Sequence, residues 1–348
     1  MTAASPDAGS ACRLPLPLPL RQLGRSGVAV TEISFGGAAI GNLFTAVTDD
    51  DARAAVDAAW DGGIRFFDTA PHYGLGLSER RLGAALRGRP RGDYVISTKV
   101  GRLLEPAGAG GPARGGGPAG GGRDAEGFDV RTDLVRRFDY SADGVRRSLE
   151  ASLGRLGLDR VDIALIHDPD AHEEQALREG YPALARLRDE GVVRAIGVGM
   201  NQTEMLTRFV RETDIDVVLV AGRYTLLDQT AADTLLPAAL ERGVSVIAGG
   251  VFNSGVLAAP TPDATYDYAA APGSLISRAL RLQEICAQAG VPLRAAAARF
   301  PLAHPAVASV LIGARNAAEV TDAIALRGLD IPPELWESLA TAQAKGLA

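Results

Sequence analysis

Eight short apolar runs recur along the chain, each separated from the next by a stretch that carries helix signals. The runs are "ISFGGAAI" from 33, "IRFFDTA" from 64, "YVISTKV" from 94, "VDIALIHD" from 161, "VRAIGVGM" from 193, "VVLVAG" from 217, "VSVIAGG" from 244 and "ASVLIGA" from 308. Between them, "DDARAAVDAAWDGG" puts acids in its first turn and glycine past its end, and "SADGVRRSLEASLGRLG" offers Ser141 as an N-cap. Further helical patterns cover 174 to 190, 202 to 213, 231 to 242 and 274 to 303, with two more near the C-terminus. Eight strand and helix alternations over roughly 300 residues predict a (β/α)8 TIM barrel. "LRQLGRSGVAVTEISFG" adds an N-terminal β-hairpin, and the last helices stand outside the eightfold pattern. A doubly wound sheet is the competing architecture, but "GGAAIGN" after the first run is not the G-x-G-x-x-G of that fold.

The barrel is expected over 20 to 348 as a single domain, well within what 348 residues can bury. Residues 1 to 19 interleave Pro with Leu in "RLPLPLPLR" and read as a disordered or polyproline-like tail rather than a secretory signal. From Glu105 to Gly127, "EPAGAGGPARGGGPAGGGRDAEG" holds too much Gly and Pro for helix or strand and reads as a flexible loop, either a lid or a tolerated insertion. A net charge of -6 with no basic block argues against a nucleic-acid surface, and no apolar run is long enough to span a membrane. The two cysteines, Cys12 and Cys286, suggest neither a disulfide framework nor a zinc cluster, so a reducing cytoplasm is expected.

In a barrel the C-terminal strand ends converge, however far apart they lie in sequence. Here those ends carry Asp68, Tyr73 just beyond it, Lys99 and His167. Of 36 Lys and Arg residues only Lys99 and Lys345 are lysine, so position 99 stands out as asking for a compact ammonium. A carboxylate beside that ammonium holds it, and an ammonium beside a phenol favours the phenolate, which predicts a lowered pKa for Tyr73. His167 is expected to share or orient the same oxygen. The set contains no strong nucleophile and suits proton transfer at an oxygen while a hydride cofactor handles the electrons. His72, His167, Asp68 and Asp168 are the metal alternative, disfavoured because the chain has four histidines and neither H-x-H nor H-E-x-x-H.

"GGIRFFDTAPHYGLGLSERRLGAAL", "STKVGR", "LGLDRVDIALIHDPD", "IGVGMN" and "LIGARNAAEV" resemble, in order, the signature segments of the aldo-keto reductase superfamily from about Leu20 onward. The resemblance implies that Tyr73 is the general acid/base, that Lys99 and Asp68 tune it, and that His167 positions the substrate oxygen. It also implies an NAD or NADP cofactor laid across the barrel mouth. Asn201 then meets the nicotinamide amide and Tyr224 stacks on its ring. Gly250, Asn253 and Ser254 after the seventh strand, with Gly313, Ala314, Arg315 and Asn316 after the eighth, cradle the phosphates. Glu319 falls where the family contacts adenine. Arg315 is placed either to meet a 2'-phosphate or to stack on adenine, which leaves NAD and NADP open.

"VRRFDYSADGVRRSLEASLGRLGLDR" and "AGRYTLLDQ" resemble the branch of D-threo-aldose 1-dehydrogenases, L-fucose dehydrogenases and pyridoxal 4-dehydrogenases. That resemblance implies oxidation of the anomeric hemiacetal carbon of a small neutral sugar to a lactone, by a monomer or homo-oligomer. The alternatives are a pyridoxal 4-dehydrogenase, a general aldehyde or ketone reductase, and a cofactor-sensing regulatory subunit.

Overall fold

The structure, a computed structural model, describes residues 18–108, 123–267 and 269–344. An antiparallel hairpin, β1 (Leu20–Leu23) and β2 (Val28–Thr31), precedes the first barrel strands β3 (Ile33–Gly36), β4 (Phe66–Asp68) and β5 (Val95–Val100). A second hairpin, β6 (Arg102–Pro106) with β7 (Leu134–Phe138), interrupts the alternation. Barrel strands β8 (Ile163–His167), β9 (Ala195–Met200), β10 (Val217–Ala221) and β11 (Ser245–Gly249) follow. After a two-residue pair, β12 (Thr265–Tyr266) and β13 (Ala269–Ala270), the last strand β14 (Val307–Gly313) returns to β3. The closed barrel runs β3-β4-β5-β8-β9-β10-β11-β14, parallel throughout, and each strand coincides with one of the eight apolar runs.

Two apolar layers form because strand side chains alternate between faces. Inside the barrel pack Phe66, Val95, Ile163, Leu165, Ala195, Val217 and Leu219, and the hairpin's Leu23, Val28 and Val30 join them, plugging that end. Outside, Ile96, Val100, Ile166 and Val198 meet the surrounding helices. The same alternation carries Asp68, Ser97 and His167 inward two residues beyond the apolar Phe66, Val95 and Leu165, and Lys99 two residues beyond Ser97. Register aligns them: Asp68 pairs with Ser97, Lys99 with Leu165 and His167 with Gly199.

Helix signals hold where caps were written. Thr48 caps Asp49–Asp61, and Ser141 accepts from the Gly144 N–H to cap Ala142–Leu156, which ends at a left-handed Gly157. The pattern over 174 to 190 forms one helical stretch with a π turn at Ala176–Gly180, just ahead of Pro182, whose missing N–H cannot continue the ladder. The helix expected over 274 to 303 is instead two, Gly273–Gln288 and Leu293–Arg299, because Gly290 takes a positive φ of 69° and Pro292 follows it.

Two loop expectations also change. Glu105 and Pro106 pair with Val135 and Leu134 instead of opening a loop, since the apolar β6 has a partner strand that local composition does not reveal. Leu18, in the expected tail, is buried in the core and the Pro19 carbonyl accepts from Glu32. The rest of the tail, residues 1–17, and the Gly-rich centre, 109–122, lie outside the described residues. Among the described residues no helix is long and apolar enough to cross a membrane.

Candidate active site

Asp68 ends β4 and Lys99 sits one residue before the end of the neighbouring β5, so the two side chains meet inside the barrel rim. The Lys99 ammonium donates to the Asp68 carboxylate at 2.7 and 2.9 Å, to the Thr69 carbonyl at 3.1 Å and to the Tyr73 hydroxyl oxygen at 3.0 Å. Ser97 donates to the same carboxylate at 2.6 Å. Both charged side chains are out of water, at 1% and 2% exposure. A Cβ on Gly199 would stand 3.5 Å from the Lys99 Cε, in ordinary contact, so the glycine lies directly against the lysine stem. Tyr73 is held by the turn that leaves β4: Gly74 has a φ of 63°, and a Cβ on it would lie 2.2 Å from the Gly41 carbonyl oxygen.

The hydrogen bonds decide where protons go. Lys99 has spent its three N–H groups, and because Tyr73 accepts one of them, the phenol's own hydrogen is left for the cleft. Burial would lower the Lys99 pKa, but Asp68 and Tyr73 outweigh it and hold the ammonium charged above its ordinary range. The expectation of a lowered Tyr73 pKa is not met. Burial pushes the phenol up, and although Lys99 pulls it down, the Asp68 carboxylate beside that ammonium works against it. In this state Tyr73 is a protonated donor at neutral pH.

His167 ends β8, its ring 5.8 Å from the Tyr73 ring and nearly perpendicular to it. Burial, with Arg102 and Lys99 nearby, holds its pKa well below the ordinary value, so the imidazole is neutral. Its Nδ1 is buried without a partner, which is less costly for an acceptor than for an N–H, so the proton belongs on Nε2. Tyr140, fully buried, reaches both the His167 and Asp168 carbonyls, at 2.6 and 2.9 Å. Asp168 itself adopts a φ of 39°, strained for a residue with a side chain, and is held there by its N–H to Gly199 and by Arg102. Among the described residues no group of three or more His, Cys, Asp or Glu is placed to hold a metal ion.

A roof of residues 123–128, at the end of the Gly-rich run expected to be a lid or a tolerated insertion, lies over the cleft, and the ion pair that holds it is what the sequence did not point to. The Asp124 carboxylate accepts from the Glu126 and Phe128 N–H groups and from Arg136 at 2.7 Å, with both ion-pair partners almost wholly buried. Arg136 also donates to the His72 carbonyl. The segment is tied to the 42–44 loop by hydrogen bonds from Phe44 to Gly127, from Asp129 to Asn42 and from the Asn42 side chain to Asp129. Beneath it lies a cleft of about 460 Å3 that reaches Tyr73, Lys99, His167 and Asn201.

The expected cofactor residues divide. Asn201 lines the cleft directly beyond β9. Gly250, Asn253 and Ser254 leave β11 in left-handed conformations, with φ of 60°, 46° and 57°, beside the strand from which Gly313 to Asn316 emerge. The Asn253 amide donates to Gly222, and its Oδ1 is buried without a partner, which fits a ligand laid over this rim. Asn316 caps Ala317–Arg327 by accepting from Glu319. The Glu319 carboxylate in turn accepts from the Arg315 N–H and guanidinium at 2.6 to 2.9 Å. Tyr224 is not brought to the cleft. Past the inward Leu219 and Ala221 the chain turns at Gly222, and the Tyr224 ring is carried into the outer core against Phe300 and His304.

The model of the aldo/keto reductase family matches residues 32–343. The chain belongs to the aldo/keto reductase family. It is 47% identical over 321 residues to a D-threo-aldose 1-dehydrogenase of Pseudomonas sp, covering 91% of this chain and 95% of that one. It is 42% identical over 332 residues to a pyridoxal 4-dehydrogenase of Microbacterium luteolum, covering 92% and 96%. Its fold matches an aldo-keto reductase from Bacillus halodurans in the holo form, with a TM-score of 0.72, 25% identity and coverage of 93% and 96%. This aldo/keto reductase is thus an oxidoreductase acting on CH–OH donors, in a family that works with NAD(P)H.

Proposed function

We propose that this aldo/keto reductase oxidises the anomeric carbon of a cyclic aldose, such as L-fucose or D-arabinose, to the lactone. The observation that carries the reading is the Asp68–Lys99–Tyr73 chain ending on a hydroxyl that faces the cleft, beside the neutral His167. A neutral substrate is supported by the pairing of Arg102 with Asp168 and of Lys99 with Asp68 at the inner end of the cleft. The likeness to the D-threo-aldose 1-dehydrogenase supports the same class.

Asn201, Gly250, Asn253, Ser254, Gly313, Ala314, Arg315, Asn316 and Glu319 are the residues that would hold the dinucleotide, which when bound supplies the acceptor for a hydrogen and two electrons. His167 donates Nε2–H to the substrate oxygen and so orients the hydroxyl. Tyr73, once ionised, takes the hydroxyl proton, and Lys99 holds the resulting charge balance by keeping its ammonium against both Tyr73 and Asp68. In the reverse direction the protonated Tyr73 gives its hydrogen to the carbonyl oxygen. The overall oxidation is sugar plus oxidised nicotinamide to lactone, reduced nicotinamide and one proton.

NAD is the preferred form in this reading, because Glu319 already occupies Arg315 and brings a negative charge to the place where a 2'-phosphate would need a free cation. The buried Cys286 thiol, its pKa pushed up to about 11 by burial, is an inert core residue. A second reading, reduction of an aldehyde or ketone, is favoured by the raised Tyr73 pKa, which keeps the acid form prevalent. The deciding experiment mixes the protein with NAD or NADP and follows nicotinamide absorbance on adding L-fucose, D-arabinose or pyridoxal, then identifies the product. Lactone from the sugars supports the proposal. Turnover confined to pyridoxal, or to reduction of simple carbonyls, defeats it.

A further inference from the structure

Three rings face one another at the floor of the cleft. The centroids of His72 and His167 are 5.4 Å apart, those of His72 and Tyr73 6.0 Å, and those of Tyr73 and His167 5.8 Å. The chemistry above uses two corners of that triangle. The third, His72, is a buried polar ring that it leaves without a task.

The state of His72 follows from one neighbour. Arg102 places Nη1 at 2.8 Å from Nδ1, and a guanidinium can only donate, so Nδ1 accepts and the ring hydrogen lies on Nε2. Arg102 is itself fixed, because its other arm binds the Asp168 carboxylate and its carbon stacks over Phe138. Burial, together with Arg102, Arg136 and Lys99, keeps the imidazole neutral. No described residue takes up Nε2, and the ring lines the cleft. His72 is therefore a donor of one hydrogen with a set direction.

Counting lone pairs says what that hydrogen is for. When the reacting oxygen is a carbonyl, Tyr73 and His167 occupy both of its lone pairs. His72 then has to address a different oxygen. Two lie nearest to the reacting one on the sugar: the ring oxygen, bonded to the anomeric carbon itself, and the 2-hydroxyl, on the next carbon. A hydrogen bond to the ring oxygen would withdraw the electron pair that supports the carbon as it loses hydride. The 2-hydroxyl carries no such penalty.

We propose that His72, oriented by Arg102, donates Nε2–H to the hydroxyl on the carbon next to the reacting one, and so makes the site select 2-hydroxy aldoses over 2-deoxy sugars. The inference rests on the aldose reading above. His72 is a specificity-determining residue in it and Arg102 a positioning residue.

D-arabinose and 2-deoxy-D-ribose are a matched pair for the test, since they differ only at the 2-hydroxyl. The wild-type protein should favour D-arabinose in kcat/KM by about tenfold or more, as expected for a buried donor left without its partner. In His72→Leu the two values should converge to within about threefold. In His72→Gln, whose amide can place a hydrogen near the same point, most of the preference should return. Arg102→Met should lower the preference as well, and nitrogen NMR of His72 at neutral pH should then lose the pure Nε2–H signature that the wild-type protein shows. Equal use of the two sugars by the wild-type protein, or a preference that survives His72→Leu, overturns the contact while the aldose reading stands. Turnover of neither sugar overturns that reading and the contact with it.

Discussion

Phe128 stacks on Tyr73, with ring centroids 6.2 Å apart and planes inclined by 28°. The residue proposed to move the proton is thereby roofed by a segment that Asp124 and Arg136 hold down. Breaking a buried ion pair is costly, so Asp124→Asn, which takes the carboxylate away from Arg136, should loosen the roof by about 3 kcal/mol. KM for the sugar should rise by about tenfold, with the nucleotide Kd nearly unchanged, as read by steady-state kinetics and fluorescence titration. An unchanged KM would show that the roof does not shape the sugar site.

Tyr73→Phe removes the hydroxyl and keeps the stacked ring. Turnover should fall by about 10^2 to 10^4-fold while cofactor affinity stays near that of the wild-type protein, because only the proton relay is lost. Single-turnover kinetics with a parallel binding titration separates the two quantities.

Because burial outweighs Lys99 at Tyr73, oxidation should speed up as pH rises and reduction should be favoured toward neutrality. Lys99→Met deletes the group that opposes burial, so the alkaline limb of the oxidation profile should move further up and the rate at neutral pH should drop. It also strands Asp68, at a cost of about 3 to 5 kcal/mol in stability. An unmoved pH profile would mean that Lys99 only supports the fold.

The two neutral histidines make a prediction about stability. Each has a folded pKa well below 6.5, so as pH falls through 6.5 the unfolded chain takes up protons that the folded chain refuses. Stability is complete above that pH and is lost below it, by up to about 1.4 kcal/mol per pH unit for each ring. Asp168, whose carboxyl burial raises, acts in the opposite sense further into the acid range. Denaturant melts from pH 7 to 5 should show a shallower decline in His72→Gln than in the wild-type protein.

At the far rim, Glu319→Gln removes the carboxylate that occupies Arg315. The preference for NAD should shift toward NADP by about tenfold, corresponding to ~1.4 kcal/mol, in kcat/KM for the two cofactors.

The barrel and the inward Asp68, Lys99 and His167 were legible because both follow from short-range pattern. Strand text alternating with capped helices fixes the order of elements, and the strand ends then place Asp68, Lys99 and His167 on one rim. What stayed hidden depends on pairing across the chain. Nothing near Arg102 announces that it meets His72 and Asp168, and nothing near Asp124 announces Arg136. The Gly-rich run masked the β6–β7 hairpin for the same reason, and a turn at Gly222 sent Tyr224 outward despite its motif. The Tyr73 pKa was misjudged because a sequence shows the neighbouring charge but not the depth of burial that opposes it.

Hydride transfer from the anomeric carbon can be followed with L-fucose carrying deuterium on that carbon, incubated with the protein and oxidised nicotinamide cofactor. The deuterium should be recovered on the reduced nicotinamide ring, one per lactone formed, and Tyr73→Phe should form almost none. Deuterium released to water or retained in the sugar product, or a Tyr73→Phe variant that transfers it at the wild-type rate, would contradict that chemistry.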